Sequence, residues 1–208
     1  MLSNLLFSFN FTEITIPNSV TYIGDYAFTY CYNLASLIFG EDSQLTHIGE
    51  YAFGYCDSLT SVTIPDSVTY IGWQAFENCN NLATITFEEG SQLTSIGNWA
   101  LSYCHSLTSI TIPSTVKNIG YFAFAYCDNL TSVTIPDSVT SIDNSAFCDC
   151  KKLTAVYYTG TASEWSTISI GYNNTNLTNA TRYYYSETEP TEDGNFWHYD
   201  ENGEIVVW

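Results

Sequence analysis

Short stretches in which apolar and polar residues alternate recur along the chain. In one of them Val62 and Ile64 are apolar, Ser61 and Thr63 are polar, and Pro65 follows. Alternation with a period of two is typical of a β-strand that buries one face, and proline ends a strand because it has no amide hydrogen to donate. The pattern therefore predicts one short strand in each of these stretches, with alternate side chains pointing into a core.

A second pattern, I-G-x-x-A-F-x-x-C-x-x-L, follows each predicted strand after a short link. In the copy that begins at Ile71, the residues Ala75, Phe76 and Cys79 lie at offsets of 4, 5 and 8. Residues at these offsets share one face of a helical turn. The spacing therefore predicts a helical turn in this half of each unit, joined to the strand by a link whose Pro, Asp and Ser residues are typical of turns.

The two patterns together form a unit that repeats along most of the chain. Successive copies of the second pattern start 25, 23, 25, 23 and 23 residues apart, and the two longer steps contain the longer links 40–43 and 88–91. A period in the twenties predicts an α/β solenoid with one short parallel strand per turn, in which neighbouring units bury each other's apolar faces. Seven such strands, about 4.8 Å apart, would make a rod roughly 30 Å long. The six copies begin at Ile23, Ile48, Ile71, Ile96, Ile119 and Ile142.

The repeat pattern stops near residue 154, and a different set of signals follows. Thr161-x-x-Glu164 matches a capping box and predicts a short helix that carries Trp165 across the open end. Tyr183-Tyr-Tyr predicts a further strand, and Asn202-Gly between two apolar runs predicts a hairpin. A solenoid needs such a cap to shield its last repeat. The predicted domains are a solenoid over residues 1–153 and a β-rich C-terminal cap over residues 154–208.

The segments L-x-x-V-x-I-P and I-G-x-x-A-F-x-x-C resemble the BspA-like class of bacterial leucine-rich repeats. Residues 11–153 carry these segments, and the C-terminal Ala155-Val-Tyr-Tyr, Glu164-Trp and Tyr183-Tyr-Tyr-Ser-Glu resemble tails that follow such repeats. The resemblance implies a right-handed, curved leucine-rich-repeat solenoid with a surface-exposed or secreted binding role. It implies no catalytic residues and no cofactor, because the family has none in common to transfer to this chain.

Charge excludes some classes of partner. Asp and Glu number 22 and Lys and Arg number 4, which gives a formal net charge of −18, although charged residues make up only 12% of the chain. Binding to nucleic acid or to an anionic bilayer needs clustered basic residues, and the first one here is Lys117. No apolar run approaches the length of a membrane span. We interpret the acids, which fall in predicted turns and in the tail, as a device for solubility.

The N-terminal sequence MLSNLLFSFNFTEITIP does not predict a secretory leader. It has no basic segment, and Ser and Asn interrupt its apolar stretch. Either the protein is cytoplasmic or a leader lies outside this sequence. The early start of the first repeat and the family resemblance favour the second alternative, and with it an extracellular or cell-surface location.

Six of the seven cysteines occupy the same position of the repeat. Equivalent side chains in a stack point the same way, which is poor geometry for disulfides, so buried thiols are expected. Cys148 is the exception: we expect it to face outward, and a strained bridge to Cys150 is the less favoured alternative. Cys104 and His105 suggest a nucleophile and a base, but adjacent residues do not face each other and no third residue orients them. The sequence therefore does not predict an enzyme.

Two acidic segments of the tail, Asp200–Glu204 and Glu192–Asn195, faintly resemble calcium-binding loops. Neither has the twelve-residue ligand spacing of such a loop, and a hairpin already explains Asn202-Gly. No metal site is predicted.

The strands of the predicted solenoid present an uncharged outward row, mostly of threonine. Beside it runs a second row that is mostly serine, so the face is a ladder of hydroxyl groups. β-Branched residues are favourable in any strand, which is the competing explanation. Because solenoids usually bind through a rigid concave surface, we expect a protein partner on this face. The residues predicted to contact the partner are Ile38, Thr63, Thr86, Thr111, Thr134 and Tyr157.

Aromatic residues precede the repeat alanine and the repeat cysteine in most copies, as Tyr51 and Tyr55 do. The favoured interpretation is that these rings stack on one another along the convex side. The alternative is a carbohydrate-binding module that uses exposed aromatics such as Trp99, Trp197 and Tyr199. A third alternative is a spacer without a ligand in a longer surface protein.

Overall fold

The structure is a computed structural model that describes residues 11–208. Residues 1–10 of the segment considered above for a leader lie outside the described residues. In chain order the elements are β1 (Glu13–Ile16), β2 (Tyr22–Ile23), β3 (Ser36–Phe39), β4 (His47–Ile48), β5 (Ser61–Ile64), β6 (Tyr70–Ile71), β7 (Thr84–Phe87), β8 (Ser95–Ile96), β9 (Ser109–Thr111), β10 (Asn118–Ile119), β11 (Ser132–Ile135), β12 (Ser141–Ile142), β13 (Ala155–Tyr158), α1 (Ala162–Trp165), β14 (Ser169–Ile170), α2 (Thr175–Asn179), β15 (Thr181–Tyr185), β16 (Phe196–Tyr199) and β17 (Ile205–Val207).

Two stacks of parallel strands run side by side along the molecule. The long stack consists of the longer odd-numbered strands β1 to β13, followed by β15, and the short stack consists of the two-residue strands β2 to β14. Equivalent residues pair in register, as Val133 does with Val156 and Ile119 with Ile142. The seven strands of the short stack mark seven turns, which confirms the predicted solenoid of parallel strands.

The inward side chains of both stacks form one apolar core. Leu59 and Ile64 are fully buried, as are the phenylalanines of the inner turns. The rings of Phe28, Phe53 and Phe76 stack with centroid separations of 5.2 and 5.3 Å. Each turn therefore buries its apolar face against the turns beside it, which is how repeat architectures gain their stability.

The segment between the repeat glycine and the repeat cysteine is not helical, contrary to the prediction. In one turn Gln74 and Asn78 have φ angles of +58° and +56°, which a right-handed helix cannot contain. The amides of Gln74, Phe76 and Asn78 donate instead to carbonyls of the next turn, at N···O distances of 3.0, 2.9 and 2.9 Å. A helical turn and the observed turn would bury the same apolar residues. The spacing of these residues therefore does not distinguish the two backbone conformations.

The left-handed backbone recurs at the same two positions in all six copies. An L-residue pays about 1–2 kcal/mol for this conformation, and the hydrogen bonds to the next turn offset that cost. The repeat glycine permits the close approach that these bonds need, because a Cβ on Gly97 would lie 2.5 Å from the carbonyl oxygen of Ile71. The left-handed residues are Tyr26, Tyr30, Tyr51, Tyr55, Gln74, Asn78, Trp99, Tyr103, Phe122, Tyr126, Ser145 and Asp149.

The long stack is interrupted twice, whereas the short stack is continuous. Within residues 11–208, no ladder joins β3 to β5 or β7 to β9. We call these interruptions the first seam and the second seam. The strand before each seam ends in Phe39 or Phe87 and leads into one of the two longer links. The strand after each seam is followed by Pro65 or Pro113, which has no amide to pair with the strand before it.

Both stacks continue past the predicted domain boundary at residue 153. Strand β13 pairs with β11, β15 pairs with β13, and β14 pairs with β12, so residues 155–185 add a further turn. The division into two domains stays a prediction. The capping box of Thr161 and Glu164 is confirmed at the start of α1, and the hairpin is confirmed as antiparallel β16 and β17.

Replacing Asn78 tests whether the left-handed turn limits stability. Asn78→Gly should change the free energy of unfolding by less than about 1 kcal/mol, because glycine accepts positive φ. Asn78→Val should destabilise by roughly 1–2 kcal/mol more, because a β-branched side chain clashes there. Denaturant unfolding of both variants measures the difference, and equal stabilities would contradict this account of the turn.

Candidate functional site

The outward face of the long stack is the surface on which the predicted contact residues lie. Ile38, Thr63, Thr86 and Thr111 occupy equivalent register positions and are exposed. The hydroxyls of Thr63 and Thr86 are hydrogen bonded across neighbouring strands at 2.9 Å. Because the inward neighbours of these residues are packed in the core, the row is held on a rigid support.

The C-terminal end of the row is covered, so one predicted contact residue is not available. Thr134 is only 3% exposed, and the prediction that it faces solvent is wrong. Its register partner Tyr157 is half-buried beneath the C-terminal hairpin. The Trp197 ring packs edge-on against Tyr157 at 5.6 Å, and its Nε1 donates to the carbonyl oxygen of Tyr158 at 3.0 Å.

Two clefts open on this face, and each lies along a seam. The cleft at the first seam has a volume of about 460 Å³ and is lined by β3, β5 and Glu88. The cleft at the second seam has a volume of about 730 Å³ and is lined by β7, β9, the link after β7 and Tyr199 of the hairpin. The structure therefore joins the threonine row and a tail aromatic at one site, which the sequence alone did not indicate.

The aromatic rings of the turns pack mainly on one another, which confirms the favoured interpretation of the sequence. Trp99 stacks on Phe122 at 4.1 Å, and Tyr103 stacks on Tyr126 at 4.5 Å. Of the three residues named for sugar binding, Trp197 is completely buried, so its proposed exposure is wrong.

A patch that the sequence analysis did not single out lies on the short stack. Tyr22, His47 and Tyr70 form a row of rings about 6 Å apart, with Tyr22 54% and Tyr70 41% exposed. Trp73, three residues after Tyr70, is also exposed and its ring packs against Tyr51. The sequence signal for this patch is the residue before each repeat isoleucine. In a strand this residue points outward because the isoleucine after it points into the core.

Residues 3–92 and 90–182 match the BspA type leucine-rich repeat region, with 6 copies of the repeat. Together with the stacked turns described above, this match decides the family. The chain belongs to the BspA-type leucine-rich repeat family.

Two solved structures show how far this likeness extends. A leucine-rich cell surface protein from Faecalibacterium prausnitzii is 34% identical, with a TM-score of 0.61, over 76% of this chain and 50% of its own. A T. pallidum leucine-rich repeat protein is 27% identical, with a TM-score of 0.68, over 78% of this chain and 74% of its own. The chain thus spans half the length of the F. prausnitzii protein. Comparison with curated proteins gives no significant match.

The thiols of this BspA-type repeat belong to the core. Each inner repeat cysteine donates its Sγ hydrogen to a carbonyl of the preceding turn, as Cys104 does to Phe76 at 3.3 Å. Burial raises the pKa of the Cys104 thiol well above its ordinary value, so a nucleophilic thiolate is disfavoured. His105 faces Asp128 instead, with Nδ1 2.9 Å from the carboxylate.

Cys148 departs from its predicted position. It is buried, and Nδ2 of Asn173, from the segment between β14 and α2, lies 3.2 Å from its sulfur. All seven cysteines are free thiols, so the less favoured bridge between Cys148 and Cys150 is absent.

One of the two tail segments that resembled calcium loops, Asp200–Glu204, forms the hairpin turn of this BspA-type chain. The Asp200 carboxylate accepts from the amides of Asn202 and Glu204 at 2.8 and 2.9 Å, and these bonds lower its pKa. Among residues 11–208 no group of three or more metal-ligating His, Cys, Asp or Glu side chains occurs. In the same part of the chain, no helix has the length and apolarity to cross a membrane.

Removing Trp197 tests whether the hairpin covers the end of the BspA-type solenoid. Trp197→Ala should destabilise the hairpin by about 3–5 kcal/mol, because a fully buried ring is lost. Hydrogen exchange should then rise over β11, β13 and β16. Trp197→Phe keeps a ring and loses the bond to Tyr158, so it should cost only about 1 kcal/mol. Unchanged exchange over β11 and β13 in Trp197→Ala would contradict this role.

The buried thiols should make the BspA-type stack sensitive to alkali. Desolvation raises the pKa of Cys79 and of Cys127 from 9.0 to about 12. Between these pH values the unfolded state releases thiol protons that the folded state keeps, so stability is full below pH 9 and falls as the pH rises towards 12. Each thiol contributes a slope of up to about 1.4 kcal/mol per pH unit.

The double variant Cys79→Ala, Cys127→Ala should lose part of this dependence. Its free energy of unfolding should start lower at pH 8, because two buried side chains are truncated. The slope between pH 9 and pH 11 should be shallower than in the parent protein. Equal slopes in chemical denaturation would show that these thiols ionise alike in both states.

Proposed function

We propose that this protein is a non-catalytic module that binds a protein partner through the exposed face of the long stack, at the cell surface or outside the cell. The observation that carries the proposal is the uncharged row of Ile38, Thr63, Thr86 and Thr111 on a fully packed support. A preorganised surface loses little conformational entropy on binding. The likeness to a leucine-rich cell surface protein supports the location.

The same surface favours a protein over a carbohydrate. The sugar-binding alternative relied on free aromatic faces, but Trp99 is stacked on Phe122 and Trp197 is buried. Tyr199, which is 42% exposed, is the remaining ring of that set, and it borders the second seam. Hydroxyl and backbone groups dominate the rest of the face, and these suit the polar periphery of a protein interface.

Two arginines placed on the row should block the partner. In Thr63→Arg, Thr111→Arg the new side chains would stand on the exposed face and leave the core untouched, so stability should stay within about 0.5 kcal/mol per site. Capture of a surface protein from labelled cell-surface extract, with the partner identified by mass spectrometry, should fall at least tenfold.

The matched control is Thr94→Arg, Thr140→Arg, which adds the same charge beside the short stack at two exposed positions. It should capture the partner as the parent protein does. Equal capture by all three proteins would refute the proposed face. Binding to a glycan array, unaffected by either variant, would favour a carbohydrate ligand elsewhere on the molecule.

A further inference from the structure

The seams leave backbone groups without the partners that equivalent groups have elsewhere. In four places along the long stack the amide just before a strand donates to the turn before it, as Ala83 does to Thr60 at 2.9 Å and Thr131 to Thr108 at 2.8 Å. The corresponding bonds from Thr60 to Ala35 and from Thr108 to Ala83 are absent among the described residues. Each seam thus offers one free amide and one free carbonyl at the surface, on residues that are exposed.

The opposite end of each cleft is acidic. Apart from Lys117, which lines neither cleft, the charged residues of the links that follow the strands are acidic: Glu41, Asp42, Asp66, Glu88, Glu89 and Asp137. Glu88 lines both clefts, and Glu89 lines the second. Glu88 is also fixed in place, because its Oε2 accepts from the amide of Asp66 at 3.1 Å. A ligand in either cleft therefore meets main-chain hydrogen-bonding groups at one end and a carboxylate at the other.

The distance between the clefts sets a spacing for the ligand. The centres of the two seams are two strand steps apart, which is roughly 10 Å at about 4.8 Å per step. Three residues of an extended polypeptide span about the same distance. A chain that crosses the strands would therefore bring every third residue over a seam.

We propose that the two seam clefts bind an extended polypeptide segment with lysine or arginine at every third residue, one basic side chain lying in each cleft and directed towards Glu88 and Glu89. The main chain of this segment donates to and accepts from the free carbonyls and amides of the seams. The threonine row between the clefts contacts the intervening residues. This inference rests on the proposed function and specifies its ligand.

Charge complementarity is the reason for choosing a basic peptide. These 208 residues carry a net charge of −18, so an acidic segment would be repelled before it reached the clefts. The free amides and carbonyls come in pairs, and an extended polypeptide offers a main-chain donor and acceptor at each residue other than proline.

Three labelled peptides of twelve residues test the proposal by fluorescence anisotropy with the full chain. The first repeats Lys-Thr-Thr four times, the second has the same composition with its four lysines adjacent, and the third repeats Glu-Thr-Thr. The first should bind most tightly, and the third should not bind. Equal binding of the first two would overturn the spacing, and no binding of the first would overturn the proposal.

The matched variants are Glu88→Gln and Glu192→Gln. Both remove one negative charge, but only Glu88 lines the clefts, and glutamine can still accept from the amide of Asp66. Glu88→Gln should weaken binding of the first peptide about fivefold, the size expected for one exposed charge pair, and Glu192→Gln should leave it unchanged. Equal losses would show that the peptide responds only to net charge.

Hydrogen exchange then locates the peptide. The amides of Thr60 and Thr108 should exchange quickly in the free protein and slowly in the complex. Protection confined to the short stack would overturn the proposal. Loss of partner capture in Thr63→Arg, Thr111→Arg without any effect of Glu88→Gln would leave the proposed function standing and refute this inference alone.

Discussion

Hydrogen bonds from the left-handed segment of one turn to the backbone of the next turn constrain every other part of this solenoid. Three amides in each of the first five copies donate forward, for example from Gln74, Phe76 and Asn78, so the turns must stack at a fixed separation. That separation leaves room for no side chain at Gly97 and brings equivalent phenylalanines into ring contact at 5.2–5.3 Å. It also aligns the aromatic residues of the turns, which pack on one another instead of facing a ligand. The face that remains free is the outward side of the strands.

The repeat length, the strands, the buried cysteines, the capping box and the hairpin were all predictable, because each depends on a local pattern with one physical explanation. The true backbone of the turn was not, because Ala75, Phe76 and Cys79 would be buried together by a helix or by the observed turn. Asn78 is of a residue type enriched at positive φ but Gln74 is not, so residue type gave no consistent signal. Most left-handed positions carry tyrosine, tryptophan or phenylalanine, which gave no reason to expect that backbone.

The candidate site was predictable only as far as it depends on the repeat. Thr63, Thr86 and Thr111 are exposed because alternation places them outward. Thr134 is buried although alternation places it outward, and its register partner Tyr157 packs against Trp197 of the hairpin, a contact that no periodicity encodes. Trp197 shows the same limitation of sequence patterns. In a tail without a repeat, the sequence does not indicate whether a tryptophan is exposed to a ligand or buried in the core. The seams were predictable in part. Their positions coincide with the two longer links, which are visible in the sequence, but the unpaired backbone groups at the seams are visible only in the structure.

The difference between the two stacks has a mechanical consequence. Each interface between turns contributes to the stability of a repeat array, and the array unfolds where neighbouring turns are coupled most weakly. The short stack is continuous through all seven turns, but the long stack is divided at the seams into blocks of two strands, two strands and the remainder up to the hairpin. Under tension applied along its axis, this solenoid would therefore lengthen in discrete steps at the two seams, while the C-terminal block, closed by the hairpin, yields last.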